Sequence, residues 1–442
     1  MTYDEAIDWL LTFADFERSG AFLDRPDVAP VKRLLRALGD PQDGRLTVHV
    51  AGSKGKGSVS AMIDSILRAA GVTTGLYTSP HLHDYTERIR VGGEPISQPG
   101  FAGLTGILRE AVESLDLGER RLVTFDLLTA LGFLAFRDAR LDAQVVEVGL
   151  GGRVDSTNVF DEKAVAVMTP LSFEHTAVLG DEIVQIAAEK AAIIIRGCAA
   201  VLAPQPFAAA AGVVHERASQ AGARLVDVAG AYPWQIGAHD LHGQDVRIER
   251  PEGALDVRLP LIGAHQAENA ATAVAAVDAL LALATVSDDA IVRGLAAVRW
   301  PGRLEVLRES PLIVADGAHN ADSARRLADA LRDYCGASQV TFVIGSSSDK
   351  DVQGLAEALA PLATGGVIAA RSAHPRAMEP SQIAGVFQEL GVNAEYVDSV
   401  AVAVDRAMAA SGSDGVICLA GSLFVAAEGR AYLGQPGRGR GR

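Results

Sequence analysis

The stretch Ala51-Gly52-Ser53-Lys54-Gly55-Lys56-Gly57-Ser58 carries the sharpest chemical signal in the chain. It follows the β-branched run TVHV and precedes a helical pattern, the setting in which a glycine-rich turn holds phosphate. Glycines allow close backbone approach, successive N–H groups converge on phosphate oxygens, and the following helix adds its positive end. Lys56 would neutralise β/γ-phosphate charge, and Ser58 would approach an accompanying Mg²⁺. The usual G-x-x-x-x-G-K-[ST] is not met, because Val50 stands at the first glycine position and Gly57 intervenes before Ser58. A plain glycine-rich turn is the competing reading.

Ser79 in YTSPHL, Glu147 in VVEVGLGG and His175 in FEHTAVLG form a candidate hard-cation set. Mg²⁺ takes a few oxygen ligands plus substrate phosphates, so one carboxylate, one hydroxyl and an unusual imidazole suit an open site. Taken singly, Ser79 reads as a turn residue before Pro80 and His175 as a helix-start residue. Glu147 resists so bland a reading, because Val145, Val146 and Val148 would bury an unpaired carboxylate at high cost. Lys190, in IAAEKAAII, reads from periodicity alone as a solvated or snorkelling lysine. Asp316 and His319 in VADGAHN follow an apolar strand and precede a helix, which suits phosphate or metal work and equally suits capping. Gln266 and Asn269 open a helix and would either read a nucleobase or cap. Arg303 is a natural anion ligand or an interdomain ion-pair partner.

The elements that must position these groups alternate in type. From Thr47 onward β-branched runs (TVHVAG, GLYTS, QVVEVGLGG, AVAVMTP, AAVLAP) alternate with helical patterns at Ser58 to Ala70, Phe125 to Arg137, Asp181 to Ile195 and beyond Pro206. That alternation predicts an α/β fold with a parallel sheet covered by helices. Between Tyr232 and Pro260 the period changes to two, as in DVRIER and LDVRLP, predicting an antiparallel hairpin. Helices are expected over Gln266 to Leu283 and Asp288 to Val298, and Trp300-Pro301-Gly302-Arg303 marks a domain boundary. Alternation then restarts with LIVADGA, QVTFVIG, GGVIAA and GVICLAG, predicting a smaller second α/β domain. Residues 1–299 and 300–433 are the expected domains, and residues 434–442, with Arg438, Arg440 and Arg442, read as a mobile tail. A cleft between the lobes, at the carboxyl ends of the strands, should hold the ligand.

Composition narrows the function classes. With 49% hydrophobic and 21% charged residues the chain can bury large cores, so disorder is excluded for its bulk. The net charge of −15 makes general nucleic-acid affinity a poor fit. Cys198, Cys335 and Cys418 lie far apart without CxxC spacing, which predicts reduced thiols and a cytoplasmic location. The acidic start MTYDEAIDWL predicts no signal peptide, and Ala270 to Val286 reads as too short and polar to span a membrane.

In chain order, HVAGSKGKGS, LYTSPHLHDYTERIRVGGEPIS, EVGLGGRVDSTN, EHTAVLGDEIVQIAAEKA, GAHQAENA, WPGRLE, DGAHN, SDKD and AGSLFVAAE make the protein resemble the folylpolyglutamate synthase/dihydrofolate synthase family of the Mur ligase superfamily. The resemblance runs nearly end to end. It implies a three-layer P-loop ATPase domain and a smaller C-terminal Rossmann-like domain, with ATP between them. Gly55, Lys56, Gly57 and Ser58 match the ATP phosphate loop, and Ser79, Glu147 and His175 match Mg²⁺ ligands. Lys190 matches a lysine whose carbamylated side chain (N6-carboxylysine) supports a second Mg²⁺, which reverses its bland reading. Asn269, Arg303 and Asp316 match ATP-contacting positions. Thr124, Phe125 and Asp126, with Val154, Asp155 and Ser156, match segments lining the pterin pocket. Some positions depart from the family pattern: Lys54 for Asn, Glu174 for Asp, Asp126 for Glu, Ala192 for Gly and Ser156 for Ala.

The reaction the resemblance implies is ATP-dependent ligation of L-glutamate to dihydropteroate, to a reduced folate, or to both, through an acyl phosphate. Lys56, His175, Lys190, Asp316 and His319 are the expected catalytic group, in a monomer without nucleic-acid or membrane partners. A Mur-type ligase acting on a UDP-linked peptide is the nearby alternative, weakened by the lack of a separate UDP-binding domain before Thr47. A nucleotide-binding switch or kinase without ligation is the alternative from another class.

Overall fold

The computed structural model describes residues 1–19, 27–116, 121–280 and 286–434. The Arg-rich tail and the last three residues of the helix expected to end at Leu283 therefore lie outside the described residues. The first sheet contains β1 (Leu46–Ala51), β2 (Thr74–Tyr77), β3 (Ile89–Val91), β4 (Glu94–Pro95), β5 (Ala143–Glu147), β6 (Val165–Met168), β7 (Ala199–Leu202) and β8 (Arg224–Asp227), in the order β4-β3-β2-β5-β1-β6-β7-β8. From β2 to β8 every pairing is parallel. β1, β2, β5, β6 and β7 are almost wholly buried, as strands covered on both faces must be, which is why they read as continuous apolar runs.

The helix Lys56–Ala69 is the spine of one covering layer. Helices Ala264–Leu280 and Asp288–Ala297 pack on it, and a Cβ on Gly294 would lie 2.4 Å from the Ile66 Cα. Only glycine permits that approach. The stretch 264–280 is buried nearly all round, in keeping with its Ala-rich composition, and among the described residues no helix is long and apolar enough to cross a membrane. On the opposite face Thr124–Asp138 and Gln98–Ser114 join a core centred on Phe101, Phe133 and Phe136.

The hairpin expected between Tyr232 and Pro260 is a three-stranded antiparallel sheet. β10 (Gly243–Ile248) and β11 (Leu255–Leu259) match the two runs read from sequence, and β9 (Trp234–Asp240) adds to β10. β9 is mostly exposed, so it lacks the alternation that betrayed its partners.

The remaining sheet contains β12 (Glu305–Glu309), β13 (Leu312–Ala315), β14 (Thr341–Ile344), β15 (Val367–Ala370), β16 (Ala394–Val397) and β17 (Val416–Ala420), ordered β12-β13-β17-β14-β15-β16. All pairings but β12 with β13 are parallel. The helix expected over Asp181 to Ile195 is shorter, Ile183–Ala191. Cys198 and Cys418 are buried, Cys335 is half-buried, and all three thiols are free.

Candidate active site

In the large sheet β2, β5, β1 and β6 are consecutive neighbours, so the segments leaving their carboxyl ends converge. Ser79 follows β2, Glu147 ends β5, the glycine-rich loop follows β1, and His175 comes off β6. Adjacent strands lie about 5 Å apart, which brings residues distant in sequence within reach of one ligand. Facing them is a cleft of about 730 Å³, closed from the other side by Arg303, Asp316 and His319 of the second lobe.

The loop is built for close approach. A Cβ on Gly52 would fall 1.9 Å from the Thr169 hydroxyl, and one on Gly55 would fall 2.4 Å from the Asn269 side-chain oxygen. Gly55 takes φ 82° just before the helix Lys56–Ala69. The N–H groups of Ser53 and Lys54 both donate to the Pro170 carbonyl, so they shape the loop and are not offered to the cleft. The first N–H groups of the helix, at Lys56, Gly57 and Ser58, have no carbonyl inside it, and all three residues line the cleft, the arrangement in which a helix start receives an anion. Asn269 Nδ2 donates to the Gln266 side chain at 3.0 Å, and both are buried against the loop.

Glu147 is 5% exposed and accepts the Ser79 N–H at 3.1 Å. Burial raises its carboxyl, against the pull of Lys56 and of that hydrogen bond. His175 sits at φ 54°, uncommon outside glycine, and burial pushes its imidazole down to about 4. A neutral imidazole keeps its lone pair for a metal. Among the described residues no three His, Cys, Asp or Glu converge as a metal cage. Glu147, Ser79 and His175 all line the cleft, and a carboxylate, a hydroxyl and a neutral imidazole are donor types that a divalent cation accepts alongside phosphate oxygens.

Lys190 is not solvated: it is 3% exposed and its Nζ donates to the Gly52 carbonyl at 3.0 Å. Burial, reinforced by Lys56, pushes its amine down to about 7. It stands behind the phosphate loop and not on the cleft wall. An amine depressed that far is partly neutral near pH 7, and the neutral amine is the form that can add carbon dioxide.

In the second lobe the cap of the helix Ala321–Cys335 is Asn320, whose side chain accepts the Ser323 N–H at 3.0 Å. Asp316 and His319 are thereby released from the capping alternative. Asp316 accepts from Leu304 and Ala318 N–H groups, each at 2.8 Å, bracing the segment that carries Arg303. Burial raises its carboxyl and Arg303 opposes that. His319 Nδ1 meets the Gly317 carbonyl at 2.8 Å and Nε2 meets Glu174 Oε1 at 3.2 Å, across the lobe boundary.

The opposite end of the cleft is lined by Thr124, Phe125, Val154, Asp155 and Ser156. Its polar groups are committed internally. Thr124 Oγ1 donates toward the Leu10 and Phe13 carbonyls. Asp155 accepts from Leu150 N–H at 2.8 Å and Thr157 N–H at 3.0 Å. Asp126 is fully buried behind the wall, accepting the Val123 N–H at 3.0 Å and the Ser156 hydroxyl at 2.6 Å. Two of the departures from the family pattern thus touch each other, as do Lys54 and Glu174 at 3.4 Å.

Some residues of the cleft escaped the sequence reading. Arg88 is 2% exposed, forms a two-pronged pair with Glu17 and donates to His81 Nδ1 at 2.9 Å. Arg376 of the second lobe donates to the Glu17 carbonyl at 2.9 Å and to Asp349 at 2.7 Å. Burial was the missing signal: a charged side chain in TERIR gives no local hint that it is enclosed. A chain of buried polar contacts also runs from Asp155 through Thr157 to His49 and on to Lys163.

Comparison with known proteins follows the same layout. Residues 50–277 match the Mur ligase middle domain, and residues 302–423 match the Mur ligase glutamate ligase domain. The folylpolyglutamate synthase of Lacticaseibacillus casei is 33% identical, covering 98% of this chain and 99% of its own. A probable bifunctional folylpolyglutamate synthase/dihydropteroate synthase of Haloferax volcanii is 37% identical over 97% of this chain. The chain spans about half the length of that relative, 50%. The solved structure of Mycobacterium tuberculosis folylpolyglutamate synthase complexed with ADP superposes with a TM-score of 0.91 at 32% identity, covering 98% of both chains.

Proposed function

The chain belongs to the folylpolyglutamate synthase/dihydrofolate synthase family of Mur ligases, and from that premise we propose that it joins L-glutamate to a pterin-linked carboxylate at the expense of ATP. The acceptor is dihydropteroate, a reduced folate, or both. The observation that carries this reading is the cleft itself, where a phosphate loop, a buried carboxylate and an arginine-bearing second lobe face one another.

A carboxylate oxygen of the acceptor attacks the γ-phosphorus of ATP, and ADP leaves with the bond to its oxygen broken. The glutamate amine then attacks the acyl carbon, and the tetrahedral adduct expels phosphate while the nitrogen loses a proton. Lys56 and the N–H groups of Gly57 and Ser58 hold the phosphates in line. Asn269 and Arg303 orient the nucleotide, Asp316 keeps Arg303 aimed, and His319 lies at the lobe boundary for the incoming amine. Phe125 and Val154 offer the apolar face for a pterin ring, backed by Thr124, Asp126, Asp155 and Ser156. Enclosure between the lobes keeps water from the acyl phosphate.

Ser79, Glu147 and His175 would hold Mg²⁺, which when bound supplies charge neutralisation on the transferred phosphoryl group. Lys190, as N6-carboxylysine, would give a second such ion a carboxylate, and its low amine pKa supports that modification. We read residues 1–299 as the ATPase unit and 300–433 as the glutamate-side unit, in a cytoplasmic monomer with small-molecule partners only. The wide separation of Cys198, Cys335 and Cys418 along the chain, without CxxC spacing, supports the reducing compartment.

The test is product mass. The chain with ATP, Mg²⁺, L-glutamate and either dihydropteroate or tetrahydrofolate should yield an acceptor heavier by one glutamyl unit. ATP cleavage without such a product, for both acceptors, would refute ligation. For the lysine, intact mass should show an added carbamate that Lys190→Ala lacks; a fully active enzyme of unmodified mass would refute that part alone.

A further inference from the structure

Besides Lys56 the phosphate loop carries a second lysine, Lys54, and it is turned to an acid of its own protein. Lys54 Nζ lies 3.4 Å from Glu174 Oε1, with 14% and 11% of the two side chains exposed. The same oxygen is 3.2 Å from His319 Nε2 of the second lobe, so one carboxylate oxygen joins the phosphate loop to the far wall of the cleft. All three residues line the cleft beside Lys56, Glu147 and Asp316. Burial lowers Lys54, while Glu174 and Asp322 oppose that.

A buried carboxylate at this point is electrostatically awkward. The loop's N–H groups and Lys56 are aimed at a polyanion, and an uncompensated acid beside them would repel it across a low-dielectric gap. Removing Glu174 would lift the repulsion and would also remove the oxygen through which Lys54 of the loop reaches His319. Lys54 resolves the conflict by its placement, since its ammonium cancels the acid locally and its short tether to the loop fixes where the acid can lie.

We propose that Lys54 is a positioning residue whose task is to neutralise Glu174, so that the acid can bridge the loop to His319 without opposing nucleotide phosphates. Lys54 then works through Glu174, and direct phosphate contact is left to Lys56. The inference rests on the nucleotide reading of the cleft, but not on which acceptor is ligated.

Calorimetric titration of ADP into the unsubstituted chain, Lys54→Met, Glu174→Gln and the double variant tests it. Lys54→Met should weaken ADP about tenfold, Glu174→Gln should stay within about twofold, and the double variant should recover to about the Glu174→Gln value. In ligation assays Lys54→Met should raise the KM for ATP about tenfold with kcat changed less than about twofold, a split that mere loss of fold stability does not produce. A double variant as weak as Lys54→Met would overturn the proposal, because Lys54 would then meet phosphate directly. A Lys54→Met variant with unchanged ADP affinity would overturn it too. Absence of ADP binding by the unsubstituted chain would sink the nucleotide reading along with it, whereas normal ADP binding without ligation would leave this inference standing.

Discussion

The two ends of the cleft are built on opposite plans. At the glycine-rich-loop end three groups keep bonding capacity: Glu147 accepts one backbone N–H, His175 has its imidazole pushed down by burial on a left-handed backbone, and a helix terminus is presented. At the Phe125 end every named polar group is committed to the protein itself, with Asp126, Asp155 and Thr124 tied to backbone N–H and C=O groups and to Ser156. The first arrangement has interactions in reserve for a charged ligand, and the second spends its hydrogen bonds on shape, leaving aromatic and aliphatic surface. Substitution should therefore damage chemistry at one end and stability at the other.

The largest effect should come from Lys56→Ala or Glu147→Gln, each lowering the ligation rate by about 10³-fold with little change in unfolding midpoint. A loss below tenfold, measured by product mass against time, would break the contrast. Next, Asp126→Ala should cost about 3 kcal/mol in urea unfolding, because the Val123 N–H and the Ser156 hydroxyl lose a buried acceptor. ADP affinity should be preserved; weakened ADP binding would show the two ends to be coupled.

The pH dependence sharpens the first end. His175 is depressed from 6.5 to about 4, so between those values the unfolded chain takes up a proton that the folded one refuses. Its contribution is present above pH 6.5 and is lost as pH falls toward about 4. His175→Gln should flatten the stability–pH curve there by about 2 kcal/mol, and identical curves for both chains would contradict the burial argument. The smallest effect is Ser156→Ala, about 1 kcal/mol in unfolding, since Asp126 Oδ2 keeps its backbone partner. A cost as large as that of Asp126→Ala would mean that Ser156, not Asp126, braces this wall.

Much of the frame was legible because its signals are local. Continuous apolar runs identified the buried parallel strands, and the glycine-rich turn marked the junction of β1 and the helix Lys56–Ala69. β9 escaped because an exposed strand has no apolar face to alternate. Lys190 could not be read from its helix: its periodicity suits a solvated lysine, and its buried amine meets the Gly52 carbonyl 138 residues away in sequence. Asp126 looked like a cleft residue in its motif, yet its short side chain turns back to the Val123 N–H and stands behind the wall.

The sequence by itself determined which chemical groups are present and which end of each strand they leave from, since strand period, turn residues and helix starts are properties of neighbouring residues. Tertiary structure decided which groups face the cleft and which face one another. Lys54 and Glu174 are 120 residues apart, Glu174 and His319 are 145 apart, and Asp126 and Ser156 are 30 apart. Charge compensation and desolvation depend on distance in space and on the water excluded there, and neither is encoded in spacing along the chain.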